Sequence, residues 1–194
     1  MLLPPPLLLG LVTVAPPFFD TDGRLQRGVT PTPEAPKLYA PVFQGKSLVK
    51  QTAAGGWAPA LLTENAVGGE EIFLGAVADT EDYESSLAPG EYWLLEMSKT
   101  GESAPEMQFG AVWEPLRAKA GPSICDALHS DEAALLATAA GMANWHDSIR
   151  YCANCGSGEI ELYRNGKGRR CTSCGTRFRP RIEPSIIVLV VDEA

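Results

Sequence analysis

An α+β fold is predicted for this chain by three observations. Short segments rich in β-branched and aromatic residues recur from Leu38 to Glu114, separated by Gly, Pro, Asp and Ser. One long stretch after Ser130 carries apolar residues at helical spacing. Four of the five cysteines fall in two pairs, C-x2-C-x15-C-x2-C, on either side of a hairpin-like sequence. The expected order is a β-rich N-terminal domain, a helix, a four-cysteine ribbon and a closing strand. With 194 residues, 45% of them hydrophobic and 21% charged, the chain is long and apolar enough to bury a core, which excludes disordered and fibrous classes.

The chain opens on MLLPPPLLLGLVTVAPPFF. Leu7 to Val14 is apolar, but no Lys or Arg precedes Arg24, and Pro4 to Pro6 interrupt the run. The basic region that heads a secretion signal is therefore missing, and the stretch is too short to span a bilayer. Residues 1–36 are expected to form a Pro-rich leader that ends in the extended arm TPTPEAP, Thr30 to Pro36. The odd cysteine count fits an intracellular, reducing compartment, cytoplasm or peroxisome, better than an oxidised secreted framework.

Residues 37–129 read as the β-rich domain. Its strands are expected at Leu38 to Gln44, Ser47 to Gln51, Glu71 to Ala78, Tyr92 to Met97 and Met107 to Glu114. The intervening TAAGGWAPALLTENAVGGE and KTGESAPE, punctuated by Gly and Pro, are expected to be loops. Cys125, in PSICDAL, reads as a small, at least partly buried side chain.

Residues 130–150 are the predicted helix. Ser130 is the expected N-cap, Asp131 and Glu132 suit the positive helix end, and Leu135, Met142 and Ile149 recur every seven residues. Trp145 widens the same stripe. His146 lies just upstream of the cysteines, but four thiolates already complete a tetrahedral shell, so a hydrogen-bonded structural histidine is expected there. His129 carries less signal still.

Residues 151–179 hold Cys152, Cys155, Cys171 and Cys174. Gly156 and Gly175 follow the two pairs directly, and a residue without Cβ lets the backbone turn tightly so that its amides face the sulfurs. Between the pairs, EIELYR alternates in polarity and Asn165-Gly166 is a strong hairpin signal. A hairpin bridging two cysteine knuckles is a zinc ribbon, and a module of ~30 residues is too small to stand on a hydrophobic core alone. One structural Zn2+ on the four cysteines is the expected cofactor, closed to water and therefore without catalytic work. Iron uses the same four thiolates, whereas a redox pair would leave the second pair unexplained and two disulfides would suit a secreted protein better.

Charge is unevenly distributed. From Ile149 to Arg181 eight basic residues stand against Glu159 and Glu161, a net of +6, which leaves −14 for the rest of a chain whose total is −8. The basic ribbon either attracts an anion, such as a dinucleotide diphosphate or an RNA backbone, or is a solvated face that pairs with the acidic remainder. Ile186 to Val191, within residues 180–194, is a run of six apolar residues and reads as a strand buried on both faces.

The helix ALLATAAGMANWHDSIRYCANCG, the spacing to RRCTSCG and the exit FRPRIEPSIIVLV together resemble the NADH pyrophosphatase family of Nudix-type NAD(H) diphosphatases. The Phe73-Leu74-Gly75 triplet is similar to a feature of that family's N-terminal domain. The resemblance implies an N-terminal domain, a zinc ribbon and then a catalytic Nudix domain whose first strand follows a Pro-Arg-x-x-Pro segment, here Pro180 to Pro184. It implies hydrolysis of NAD+ or NADH to nicotinamide mononucleotide and AMP, removal of NAD caps from RNA by some members, and a homodimer. The family's chemistry belongs to a Nudix box of glutamates, over about two dozen residues, that hold Mg2+ or Mn2+ to neutralise the diphosphate and activate water. No such run stands in this sequence, and GGEEIFLG from Gly68 reads as a turn entering a strand. The chain is accordingly expected to be the N-terminal and ribbon portion of such an enzyme, truncated at the start of the Nudix domain, without catalytic residues of its own. From another class, a stand-alone ribbon module for protein or nucleic-acid binding is the alternative.

Overall fold

A computed structural model describes residues 30–66, 68–77, 86–99, 101, 103–106, 110–116, 124 and 128–180. Most of the leader, Cys125 and the apolar run Ile186 to Val191 lie outside the described residues.

The N-terminal half forms a sheet of β1 (Lys37–Phe43), β2 (Lys46–Gln51), β3 (Trp57–Pro59), β4 (Glu70–Val77), β5 (Gly90–Glu96) and β6 (Ala111–Pro115), in the order β3-β2-β1-β5-β4 with β6 paired to β2. β1 and β5 run parallel, and the other pairs are antiparallel. Five of these strands match the expected segments to within a few residues. In the fifth, Met107 to Phe109 lies outside the described residues and pairing begins at Ala111. The sixth, β3, falls in sequence that reads as loop. Three residues beside Gly and Pro have no strand signal of their own, and pairing with Val49 to Gln51 holds them extended.

The sheet buries both faces. Ala40, Val42, Ile72, Leu74, Tyr92 and Leu94 point to one side, where they meet Leu135, Leu136, Ala139 and Met142 of α1 (Ser130–Ser148). Tyr39, Phe43, Phe73, Trp93 and Leu95 form a second, largely aromatic cluster on the other side. Phe73 and Trp93 meet edge-on with ring centroids 5.1 Å apart. A β-bulge separates the pairs Phe73↔Trp93 and Gly75↔Tyr92, so the triplet Phe73-Leu74-Gly75 is where β4 changes register. The extra residue lets Leu74 and Val77, three apart, both face α1 while Phe73 and Ala76 face away.

α1 starts one residue earlier in its capping than expected. His129, not Ser130, is the N-cap: its Nδ1 accepts from the Asp131 amide at 3.5 Å, and its own amide donates to Glu132 Oε2 at 3.3 Å. The reason lies in the spacing, because a capping box needs an acidic residue three positions on; Glu132 stands three after His129, whereas Ala133 stands three after Ser130. The apolar stripe is also rotated. Leu135, Ala139, Met142 and His146 are buried, while Trp145 and Ile149 are half-exposed at its edge.

The end of the Pro-rich arm is pinned rather than free. Buried Glu91 accepts from the Thr32 amide, the Thr32 hydroxyl at 3.2 Å and Trp93 Nε1 at 3.2 Å, and its own amide donates to Pro36 O. Replacing Glu91 with Ala leaves the Trp93 donor unpaired inside the protein and should destabilise the domain by about 1–3 kcal/mol. A thermal melt will show the loss, and limited proteolysis will show faster cleavage around residues 30–36.

Candidate metal centre and its docking onto the domain

The ribbon is a three-stranded sheet, β7 (Ile160–Tyr163), β8 (Gly168–Cys171) and β9 (Arg177–Phe178), in that order and antiparallel. Its two cysteine turns repeat one design. The Gly156 amide donates to Cys152 O at 2.8 Å and the Gly175 amide to Cys171 O at 2.9 Å. Likewise the Cys152 amide donates to Ser157 O and the Cys171 amide to Thr176 O. Both glycines sit at φ 75°, where a side chain is disfavoured, so glycine after each pair is a backbone requirement of the knuckle.

The two knuckles bring all four sulfurs within 4.8 Å of one another, so every cysteine singled out in the sequence reaches one point. Cys152 Sγ lies 3.5 Å from Cys174 Sγ, and Cys155 Sγ lies 3.6 Å from Cys171 Sγ. A disulfide needs about 2.05 Å. Four sulfurs at about 2.3 Å from a central tetrahedral ion would instead be roughly 3.8 Å apart, so the donor set fits a metal such as zinc. Cys152 and Cys171 are buried, and Cys155 and Cys174 face outward.

The surrounding groups favour thiolate at Cys174 and Cys152. A hydrogen bond with the Thr176 hydroxyl, 3.1 Å away, and the Thr176 amide bring the Cys174 thiol down to about 6. Cys152 is also lowered: burial opposes ionisation there, but the Cys155 and Asn154 amides outweigh it. Cys155 moves the other way, up to about 12, because the favourable Ser157 amide is overcome by the neighbouring Cys174 sulfur, burial and the other two thiols. Crowded sulfurs share protons in this way, and a divalent cation would replace those protons and satisfy all four at once.

His146 is not among these ligands. It is 2% exposed and lies between the two parts of the chain. Arg169 Nε donates to its Nδ1 at 2.9 Å, which makes Nδ1 the acceptor and puts the ring proton on Nε2, bonded to Gly166 O at 2.9 Å. Arg169, 6% exposed in its side chain, also donates to Glu70 Oε2 at 2.9 Å. Helix, ribbon and β4 thus meet in one buried polar cluster.

The hairpin turn completes the joint. Asn165 and Gly166 sit at φ 54° and 81°, the turn expected of Asn-Gly, and the Lys167 amide donates to Arg164 O at 3.1 Å. Asn165 O accepts from the Phe73 amide at 2.8 Å, so the turn pairs with the outer edge of β4 beside its bulge. A Cβ on Gly166 would lie 2.7 Å from Ile72 Cγ2 and 2.9 Å from Ile72 Cα. Glycine here provides the turn conformation and the close approach together. Leu162 packs into the same core as α1.

Sequence reasoning found the cysteine cluster and the hairpin but missed Arg169 and Glu70. A signal existed: the pairing Leu162↔Arg169 follows from the Asn-Gly turn and places Arg169 on the inward face with Leu162.

Residues 36–145 match a family model described as "NADH pyrophosphatase-like rudimentary NUDIX domain", so the β-rich half and most of α1 are together a Nudix-like domain. Among curated relatives, the NAD-capped RNA hydrolase NudC of Pseudomonas fluorescens is 35% identical over 98 residues, half of this chain and 32% of that protein. NudC of Stutzerimonas stutzeri is 33% identical over 81 residues, 42% of this chain and 27% of that protein. The chloroplastic Nudix hydrolase 19 of Arabidopsis thaliana is 33% identical over 64 residues, 32% of this chain and 14% of that protein. The matched part of the chain spans about a third or less of the length of these relatives. With the model covering more than half of its residues and leading directly into the four-sulfur ribbon, the chain belongs to the NADH pyrophosphatase family.

Proposed function

We propose that the chain serves an NAD(H) diphosphatase as its accessory Nudix-like domain and zinc ribbon, with one structural Zn2+ on Cys152, Cys155, Cys171 and Cys174. The observation that carries this reading is the family match over residues 36–145, followed at once by four converging sulfurs. The reaction proposed for the whole enzyme is hydrolysis of the dinucleotide diphosphate, in free NAD(H) or at the 5′ end of RNA, to nicotinamide mononucleotide and AMP. Mg2+ or Mn2+ bound by a Nudix box would neutralise the diphosphate and activate water. This chain's sequence has no such box, so its own residues contribute positioning: the ribbon is held to the sheet by Arg169, Glu70 and His146. An odd cysteine count, with four cysteines placed for a metal, suits a reducing compartment. No helix among the described residues is long and apolar enough to cross a membrane.

Two measurements test the reading. Elemental analysis of the purified chain is expected to give close to one zinc per molecule. Incubation with NADH and Mg2+ or Mn2+ is expected to release neither nicotinamide mononucleotide nor AMP; turnover by pure material would place catalytic residues within these 194 residues and overturn the accessory role.

A further inference from the structure

Strand alternation sorts the ribbon's side chains into two faces. Ile160, Leu162, Arg169 and Cys171 point toward the core and the sulfur cluster, whereas the opposite face is solvated. That outer face carries Glu161, Tyr163, Arg170 and Arg177, with Arg164 at the turn and Arg179 over Gly168. Three guanidinium carbons surround the Tyr163 ring, Arg177 at 5.1 Å, Arg164 at 5.3 Å and Arg170 at 5.9 Å from its centroid. Arg170 and Arg177 are direct cross-strand partners. Like charges in that relation are destabilising, so the fold does not ask for them.

Among the described residues, the acidic body of the chain does not neutralise this face. Its Glu70 pairs with Arg169 on the inner face. On the outer face Arg170 is bonded to Glu161 of the same hairpin, and among the described residues no carboxylate pairs with Arg164, Arg177 or Arg179. Among the described residues, then, one of the four arginines of this face is paired and three face no carboxylate, a cationic surface on a chain of net charge −8. An open sheet face does not enclose a small ligand, as a dinucleotide site would. Guanidinium groups around a partly exposed aromatic ring suit an extended strand with phosphates on one side and unstacked bases on the other.

We infer that the outer face of the ribbon, centred on Tyr163 with Arg164, Arg170, Arg177 and Arg179, binds the backbone of single-stranded RNA. The cationic face and its partly exposed ring are independent of the diphosphatase reading, whereas the choice of RNA among polyanions rests on it.

The test is fluorescence anisotropy of the full chain with an uncapped, unstructured RNA of about 20 nucleotides, long enough to span the face. Combined Arg170→Ala, Arg177→Ala and Arg179→Ala substitution is expected to weaken binding at least about tenfold and to flatten the slope of log K against log salt by roughly 2, at about 0.7 per lost phosphate contact. The corresponding triple lysine variant should keep the salt slope. Tyr163→Ala should weaken binding about fivefold or more through lost base stacking, and Tyr163→Phe should not. Lys46→Ala with Lys50→Ala, on β2, is the control and should bind as the parent does. Unchanged zinc content and melting temperature will show that the variants fold. Wild-type affinity and salt slope in the triple alanine variant, or no RNA binding by the parent, overturns the inference. Polyglutamate of equal charge bound more tightly than RNA would also overturn it and reassign the face to acidic protein partners. NADH hydrolysis is scored in a separate reaction without RNA, so failure of the diphosphatase reading and failure of this interface give different results.

Discussion

Replacing Cys171 with Ser will yield a chain that retains no metal and has lost its ribbon. Cys171 is fully buried, ends β8 opposite Ile160, and supplies one of four sulfurs. A structural zinc in a small module contributes about 10–16 kcal/mol of apparent binding free energy at neutral pH. A whole domain has a net stability of about 5–15 kcal/mol, so no packing within a ribbon of this size offsets the loss. The sheet and α1 have two apolar clusters of their own and are expected to stay folded. Amide hydrogen exchange is the measurement: protection over Cys152 to Phe178 should vanish while that of β1 and β5 persists. A ribbon that stays protected in the metal-free variant would refute the structural role of the ion. Acid should mimic the substitution in part, because protons compete with the metal for thiolates. The metal-free chain, whose Cys174 sits at about 6, should take up zinc more weakly as pH falls through that value.

Arg169→Ala is the second large effect, and it acts on the joint rather than the module. The substitution removes the Arg169 donor to His146 Nδ1 and the 2.9 Å ion pair to Glu70. Breaking a buried charged contact costs about 3–5 kcal/mol, but Glu70 is 29% exposed and Lys99 lies 3.9 Å from it, so about 2–3 kcal/mol is the better expectation. Metal content should be unchanged, since Arg169 touches no sulfur. Chemical denaturation will measure the loss, and combining the change with Glu70→Ala should give less than the sum of the two, because both remove the same pair. Strict additivity would mean that the Arg169–Glu70 pair does not couple ribbon to sheet, leaving that to the Asn165–Phe73 and His146–Gly166 hydrogen bonds, the Gly166–Ile72 contact and Leu162.

The sequence by itself determined the elements whose cause is local. The four-cysteine cluster was legible because each knuckle is built within six residues, Cys152 to Ser157 and Cys171 to Thr176, by backbone turns that Gly156 and Gly175 favour. Strands β1, β2, β4 and β5 and the helix were legible for a like reason: β-branched and aromatic runs between Gly, Pro, Asp and Ser mark the strands, and apolar spacing along the chain marks the helix. Tertiary structure decided the rest. β3 is a strand because β2 lies beside it, and His146 replaces Trp145 on the buried stripe because Gly166 and Arg169 wait there with complementary groups. The bond from Arg169 to Glu70 joins residues 99 apart, beyond the reach of any periodicity. Such partners are chosen by which surfaces meet when the hairpin turn closes on β4, and that choice leaves one arginine neutralised inside and a cluster of them facing water.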